Sequence, residues 1–139
     1  MKIKKAGFVL IILSILGLFF ILNANEEAQI KIAVASEGET LDSQVSVMAG
    51  RCAYFLFFDK EGNLKNTMEN PYQKASQAGI KCAQFLKEHA ITILIAGEVG
   101  EKMGEALENY NISFIPFSGT VNDAVTEAQK KIPHLIPKN

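Results

Sequence analysis

Hydrophobic and polar positions divide this chain of 139 residues into two unequal parts. From Ala6 to Leu22 every residue is uncharged and Ser14 alone is polar, so the segment lacks the polar stripe of a surface helix. At about 1.5 Å per residue such a run is about 26 Å long as a helix, close to a hydrocarbon core of about 30 Å. Lys2, Lys4 and Lys5 precede it, and Asn23-Ala24-Asn25-Glu26-Glu27 follows. Lysines on one flank can snorkel to close the gap, and they set the orientation. The expectation is one N-terminal transmembrane helix within residues 1–22, its apolar run at 6–22 in the cell membrane, with the N-terminus cytoplasmic and the rest outside. The run exceeds the apolar core of a cleaved secretory signal, about 7–15 residues, and Leu22 is bulky where cleavage wants a small residue. A cleaved, secreted form stays open as the alternative. Either outcome exports the remainder.

Residues 23–29 read as a polar tether that reaches about 25 Å at most. Beyond it, short apolar runs alternate with turn chemistry. Ile30 to Ala35 alternates bulky with small or polar residues and predicts a strand. Ser36 to Cys52 has no clear period, and loops of that length in compact domains are often functional. Tyr54 to Phe58 is continuously apolar, as in a strand covered on both faces. Asp59 to Asn63 turns the chain back, so Leu64 to Met68 is expected to return as an antiparallel partner.

Asn70-Pro71 predicts an N-cap and a first-turn proline. The spacing of Ala75, Ala78, Cys82, Phe85 and Leu86 then predicts a helix to about His89. Ile91 to Ala96 reads as a buried strand, and Met103, Ala106, Leu107 and Tyr110 mark a second helix. Ile112 to Phe117 is a further strand, at a sheet edge because of Pro116. Thr120, with Asp123 three residues on, is expected to cap a last helix that buries Val121, Ala124, Val125, Ala128 and Ile132. Pro133 and Pro137 are expected to end it. Short connections between alternating strands and helices imply a largely parallel sheet, to which the hairpin adds one antiparallel strand. The expected fold is α/β: a three-layer α/β/α domain with a mixed five-stranded sheet over residues 30–132, followed by a tail at 133–139.

Charge narrows the function classes. Without the three N-terminal lysines, 11 of the 14 basic residues face 15 acidic ones, a balance of about −4 for the exported part. No Lys/Arg cluster interrupts that balance, so nucleic acid is excluded as a partner. The only histidines, His89 and His134, are not placed near a cysteine or a loop serine, and no triad is expected. The reading is a non-catalytic binding domain. In open α/β sheets ligands gather beyond the carboxyl ends of the parallel strands. Three segments are expected there: the Ser36–Cys52 loop, Gly97-Glu98-Val99-Gly100, and Ser118-Gly119-Thr120. Glycines at such turns allow close backbone approach, and helix N-termini aim N–H groups at a ligand. Gly97-x-x-Gly100-x-x-x-Gly104 is not a dinucleotide spacing, and Glu98 and Glu101 oppose a phosphate. Cys52 and Cys82 belong to an oxidising compartment under this topology. For Cys52, packing, a disulfide to Cys82 and ligation of a soft metal all remain open; Cys82 lies on an apolar stripe, where packing or a disulfide is expected.

Four motifs carry a family resemblance. They are Val45-Ser46-x-x-x-Gly50-Arg51-Cys52-Ala53-Tyr54-Phe55, Asn70-Pro71 ahead of Ala78-Gly79-Ile80, Gly97-x-x-Gly100 ahead of Ala106-Leu107, and Gly119-Thr120-Val121 ahead of Ala124. Together, over about Ile30 to Ile132, they resemble the dinitrogenase iron–molybdenum cofactor biosynthesis domain of nitrogenase accessory proteins. The resemblance implies a ribonuclease H-like fold and a cargo of iron–sulfur or iron–molybdenum type. It also implies cofactor-binding positions at Met48, Gly50, Arg51, Cys52, Gly97, Gly100, Gly119 and Thr120, with Cys52 as the metal ligand. Arg51 would pair with an anionic cluster. This chain departs from the family pattern at Met48-Ala49-Gly50, where a His-Phe-Gly sequence is usual. Gln77 stands where glycine is common, and Cys52 where alanine is frequent. Family members serving nitrogenase are expected in the cytoplasm, whereas this chain reads as exported. The alternative is therefore an interaction module, with a protein partner at the membrane, that has kept the fold and lost the cofactor.

Overall fold

The computed structural model describes residues 29–135 together with Ile12, Ser14 and Ile15, which are helical. The expected span at 6–22, the tether before residue 29 and the tail beyond Leu135 otherwise lie outside the described residues. Among those described, no helix is long and apolar enough to cross a membrane.

Five strands form one sheet: β1 (Lys31–Ser36), β2 (Tyr54–Asp59), β3 (Leu64–Glu69), β4 (Ile93–Ala96) and β5 (Ser113–Pro116), in the order β3-β2-β1-β4-β5. β1 runs parallel to β4, β4 parallel to β5, and β2 antiparallel to both β1 and β3. β2 is thus the single antiparallel strand, as the hairpin pattern implied. β5 lies at an edge, where Pro116 needs no partner for a missing N–H.

Register explains why the β2 run is apolar throughout. Ala33 sits beside Phe57 and Leu94 in one cross-strand row; Val34 sits beside Leu56 and Ile95 in the next. Alternate rows face opposite sides. The row of Ala33 packs under α1 (Ala78–Glu88) and α2 (Glu101–Asn109) through Cys82, Phe85, Leu86, Met103 and Leu107. The row of Val34 packs under α3 (Val121–Leu135) through Val121, Ala124, Val125, Ala128 and Ile132. The domain is a mixed five-stranded sheet between two helical layers.

Two element boundaries differ from the sequence expectation by more than two residues. The first helix starts at Ala78, not at Pro71. Asn70 does not cap it; its amide bonds the Tyr72 N–H at 2.9 Å and the Cys52 carbonyl at 2.9 Å. Arg51 Nη1 donates to the carbonyls of Gln73 and Ala75, both at 2.9 Å, which holds residues 71–77 in turns. At the other end, α3 continues through Pro133 to Leu135. So close to a helix end the missing N–H frees only the Gln129 carbonyl, which can turn to solvent.

Candidate functional site

The long loop after β1 is a strap laid across the exits of the parallel strands. Its backbone is stitched to both neighbours. Ser46 N–H donates to Ala35, and Gly97 N–H and Glu98 N–H donate to the carbonyls of Ser46 and Val47 at 2.9 and 2.7 Å. Val45 N–H donates to the Gly119 carbonyl at 2.9 Å. The three segments expected at this end of the sheet do converge, but mainly upon one another.

That stitching separates the eight expected binding residues into groups. At Gly97 an added Cβ would lie 2.7 Å from the Val47 oxygen and 2.8 Å from Val47 Cα, so the missing side chain here admits the strap. At the start of α3, the N–H groups of Val121 and Asn122 are taken by the carbonyls of Ser43 and Leu41, and Thr120 Oγ1 accepts from the Asp123 N–H at 3.2 Å. Gly119 and Thr120 therefore close a helix N-terminus, and Thr120 is the cap the sequence indicated.

Met48, Gly50, Arg51 and Gly100 come together elsewhere. They line an open groove of about 310 Å³ with Gln77, Gly79, Lys102 and Met103, between the 3-10 turn Ala49–Arg51 and the first turns of α1 and α2. Neither helix has a side-chain cap: Gln77 and Gly100 at the two N-cap positions make no such bond. Two helix N-termini with uncapped amides thus open on one groove. Among its lining residues, Arg51 and Lys102 outnumber the single carboxylate, Glu101. With Nη1 engaged on the 71–77 turns, Arg51 retains its Nη2 and Nε donors.

The glycines show how the groove is shaped. A Cβ on Gly50 would come within 3.1 Å of Gly79 N and Cα, and one on Gly79 within 2.9 Å of Met103 Cβ. These two permit close packing of the 3-10 turn, α1 and α2. Gly100 differs, because a Cβ there would meet nothing within 4 Å, and its φ of −67° suits any residue. Its missing side chain keeps the groove open. Gln77 has φ 55°, the left-handed region that glycine adopts freely. That conformation accounts for the glycine expected at this position and leaves Gln77 with local strain.

Cys52 lies beneath the groove, not in its lining. It and Cys82 are free, fully buried thiols that meet at Asn70. Asn70 Nδ2 is 3.7 Å from Cys52 Sγ, and Cys82 Sγ donates to Asn70 Oδ1 at 3.4 Å and to the Gly50 carbonyl at 3.6 Å. Burial drives both thiols to titrate well above their ordinary range, with the neighbouring Cys82 adding to the effect on Cys52. Cys82 is pushed up to about 11, even though Asn70 and Arg51 act in the opposite direction. Thiols held this way stay protonated at neutral pH in the metal-free protein. No group of three or more His, Cys, Asp or Glu side chains suited to a metal occurs among the described residues. The donor set here fits retention by charge, amide donors and the half-exposed Met48 thioether, and does not fit a cage of protein thiolates. Asn70, 4% exposed, is the residue that sequence reasoning missed. Its contacts to Cys52 and Cys82 span 18 and 12 positions, which no local pattern can signal.

Comparison with known proteins identifies the family and relatives of the fold. The family described as "dinitrogenase iron-molybdenum cofactor" matches residues 29–131. Among solved structures, a Thermotoga protein described as a NifB candidate of the DUF35 family is 32% identical, with 73% of this chain and 88% of that one covered and a TM-score of 0.63. The apo form of the orange protein from Desulfovibrio gigas is 28% identical, with 78% and 92% covered and a TM-score of 0.64. No curated protein matches the chain.

Proposed function

Since the chain belongs to the dinitrogenase iron-molybdenum cofactor family, we propose that it is a non-catalytic carrier-type domain whose cargo, an anionic iron–sulfur or iron–molybdenum type cluster, sits in the groove between the 49–51 turn and the N-termini of α1 and α2. The observation that carries this reading is the convergence of two uncapped helix N-termini with Arg51 and Lys102 on one open space. Partial positive charge at helix ends and guanidinium donors favour a compact anion. Met48 adds a soft contact at the rim. The apolar run at 6–22 makes the domain membrane-anchored on the outer side, and the short tether keeps it near the bilayer.

Anaerobic loading of the purified chain with iron and sulfide tests the proposal. The loaded protein should show sulfur-to-metal charge-transfer absorption after desalting, and Arg51→Ala should hold several-fold less metal. A colourless, metal-free wild type would remove the reading. The second reading, an interaction module without cargo, draws on Met48-Ala49-Gly50, where the family usually carries His-Phe-Gly, and on the proposed export away from cofactor assembly. Under it, cross-linking in intact membranes would recover a protein partner from a chain that carries no metal.

A further inference from the structure

The groove occupies one pole of the sheet; the opposite pole is where the chain enters β1 at Lys31. That pole holds the ends of α1 and α2, with Glu88 and Glu108 exposed, and, side by side, the β2–β3 turn and the last turns of α3, where Gln129 Nε2 donates to the Lys60 carbonyl at 3.4 Å. The turn and α3 together display Lys60, Leu64, Lys65, Lys130, Lys131 and Leu135, all exposed. Leu64 and Leu135 are each 43% exposed; at the other pole Leu41, Val47 and Met48 are exposed on the strap. The carboxylates between the lysines, Asp59, Glu61 and Glu127, lie 3.6–4.0 Å from them. Exposed pairs of this kind are weak, so each lysine can exchange its carboxylate for another anion at little cost. The strap at the groove pole carries Glu37, Glu39 and Asp42 with no cation among residues 37–48.

We infer that the pole formed by the β2–β3 turn and the end of α3 docks on the anionic phospholipid headgroups of the membrane that holds the chain's own anchor, and so turns the groove outward. The inference rests on the proposed anchor. Seven tether residues, 23–29, deliver the domain to the bilayer from the β1 end. Lysine and leucine together are the chemistry of interfacial contact, ammonium groups meeting phosphates while leucine enters the acyl boundary. The acidic strap is repelled by the same surface, which weighs against a groove-first approach through Arg51 and Lys102.

The chain has no tryptophan, which gives a background-free test. The full chain would be reconstituted into lipid nanodiscs as Leu64→Trp or, at the groove pole, Val47→Trp. With phosphatidylglycerol present, Leu64→Trp should emit to the blue of Val47→Trp and be quenched several-fold more by brominated lipid. Lys60→Gln, Lys65→Gln, Lys130→Gln and Lys131→Gln together, or phosphatidylcholine alone, should abolish that difference. Equal quenching of the two reporters in a chain that has inserted would overturn the docking inference and leave the anchor standing. A chain that fails to enter nanodiscs would overturn both. Leu135→Trp serves as a second reporter of the same face.

Discussion

Asn70 ties three parts of the domain to one amide. Its side chain satisfies the Cys52 carbonyl and the Tyr72 N–H, and it accepts from the Cys82 thiol. Asn70→Ala should leave those buried groups unpaired and cost about 2–4 kcal/mol in denaturant unfolding. The thiols it touches make a pH prediction. A thiol whose folded pKa exceeds the unfolded value holds its proton in the native state after the unfolded chain has lost it. The stability contributed is whole below pH 9.0 and falls as pH climbs toward about 11. The denaturation midpoint should therefore drop over that window, and Cys52→Ala with Cys82→Ala should flatten the profile. At this scale the sequence was legible where a residue served a periodic pattern, as with Cys82 on its stripe and Thr120 at its cap. It was silent where roles depend on distant contact, as with Asn70.

Elements were readable through their apolar periods, and their starts were obscured by tertiary hydrogen bonds. The tract at 71–77 reads as the first turns of a helix, yet Arg51 draws two of its carbonyls away from helical pairing. Turn glycines were equally visible and equally ambiguous, because sequence does not say whether absent side chains admit protein or ligand. The structure separates Gly97, pressed against Val47, from Gly100, which faces open space. Gly97→Ala should destabilise the domain by about 1–3 kcal/mol through forced displacement of backbone. Gly100→Ala should stay within about 0.5 kcal/mol of the wild type. Thermal or urea unfolding of the pair checks the contrast. A destabilised Gly100→Ala would mean that the position serves packing.

For the whole molecule, strand order and layering follow from a few sequence rules: continuous apolarity in β2, a hairpin turn after it, and alternating helices and strands to the end. Convergence of the three loop segments at the strand exits was legible for the same topological reason. Its division was not, because the strap's stitching to β4 and to the start of α3 arises from backbone contacts without a side-chain signature. The resulting molecule has a groove at one pole and its chain entry at the other, so cargo handling and attachment need not interfere.

The claim on which the account turns is that cargo occupies the groove and is not ligated by Cys52. Metal content per chain after anaerobic loading, measured for wild type, Gly100→Leu and Cys52→Ala, addresses it directly. Gly100→Leu extends a side chain into the space that a Cβ enters freely and should lose its metal while still folding, whereas Cys52→Ala should keep it. A fully loaded Gly100→Leu, or a metal-free Cys52→Ala that still folds, would contradict the account.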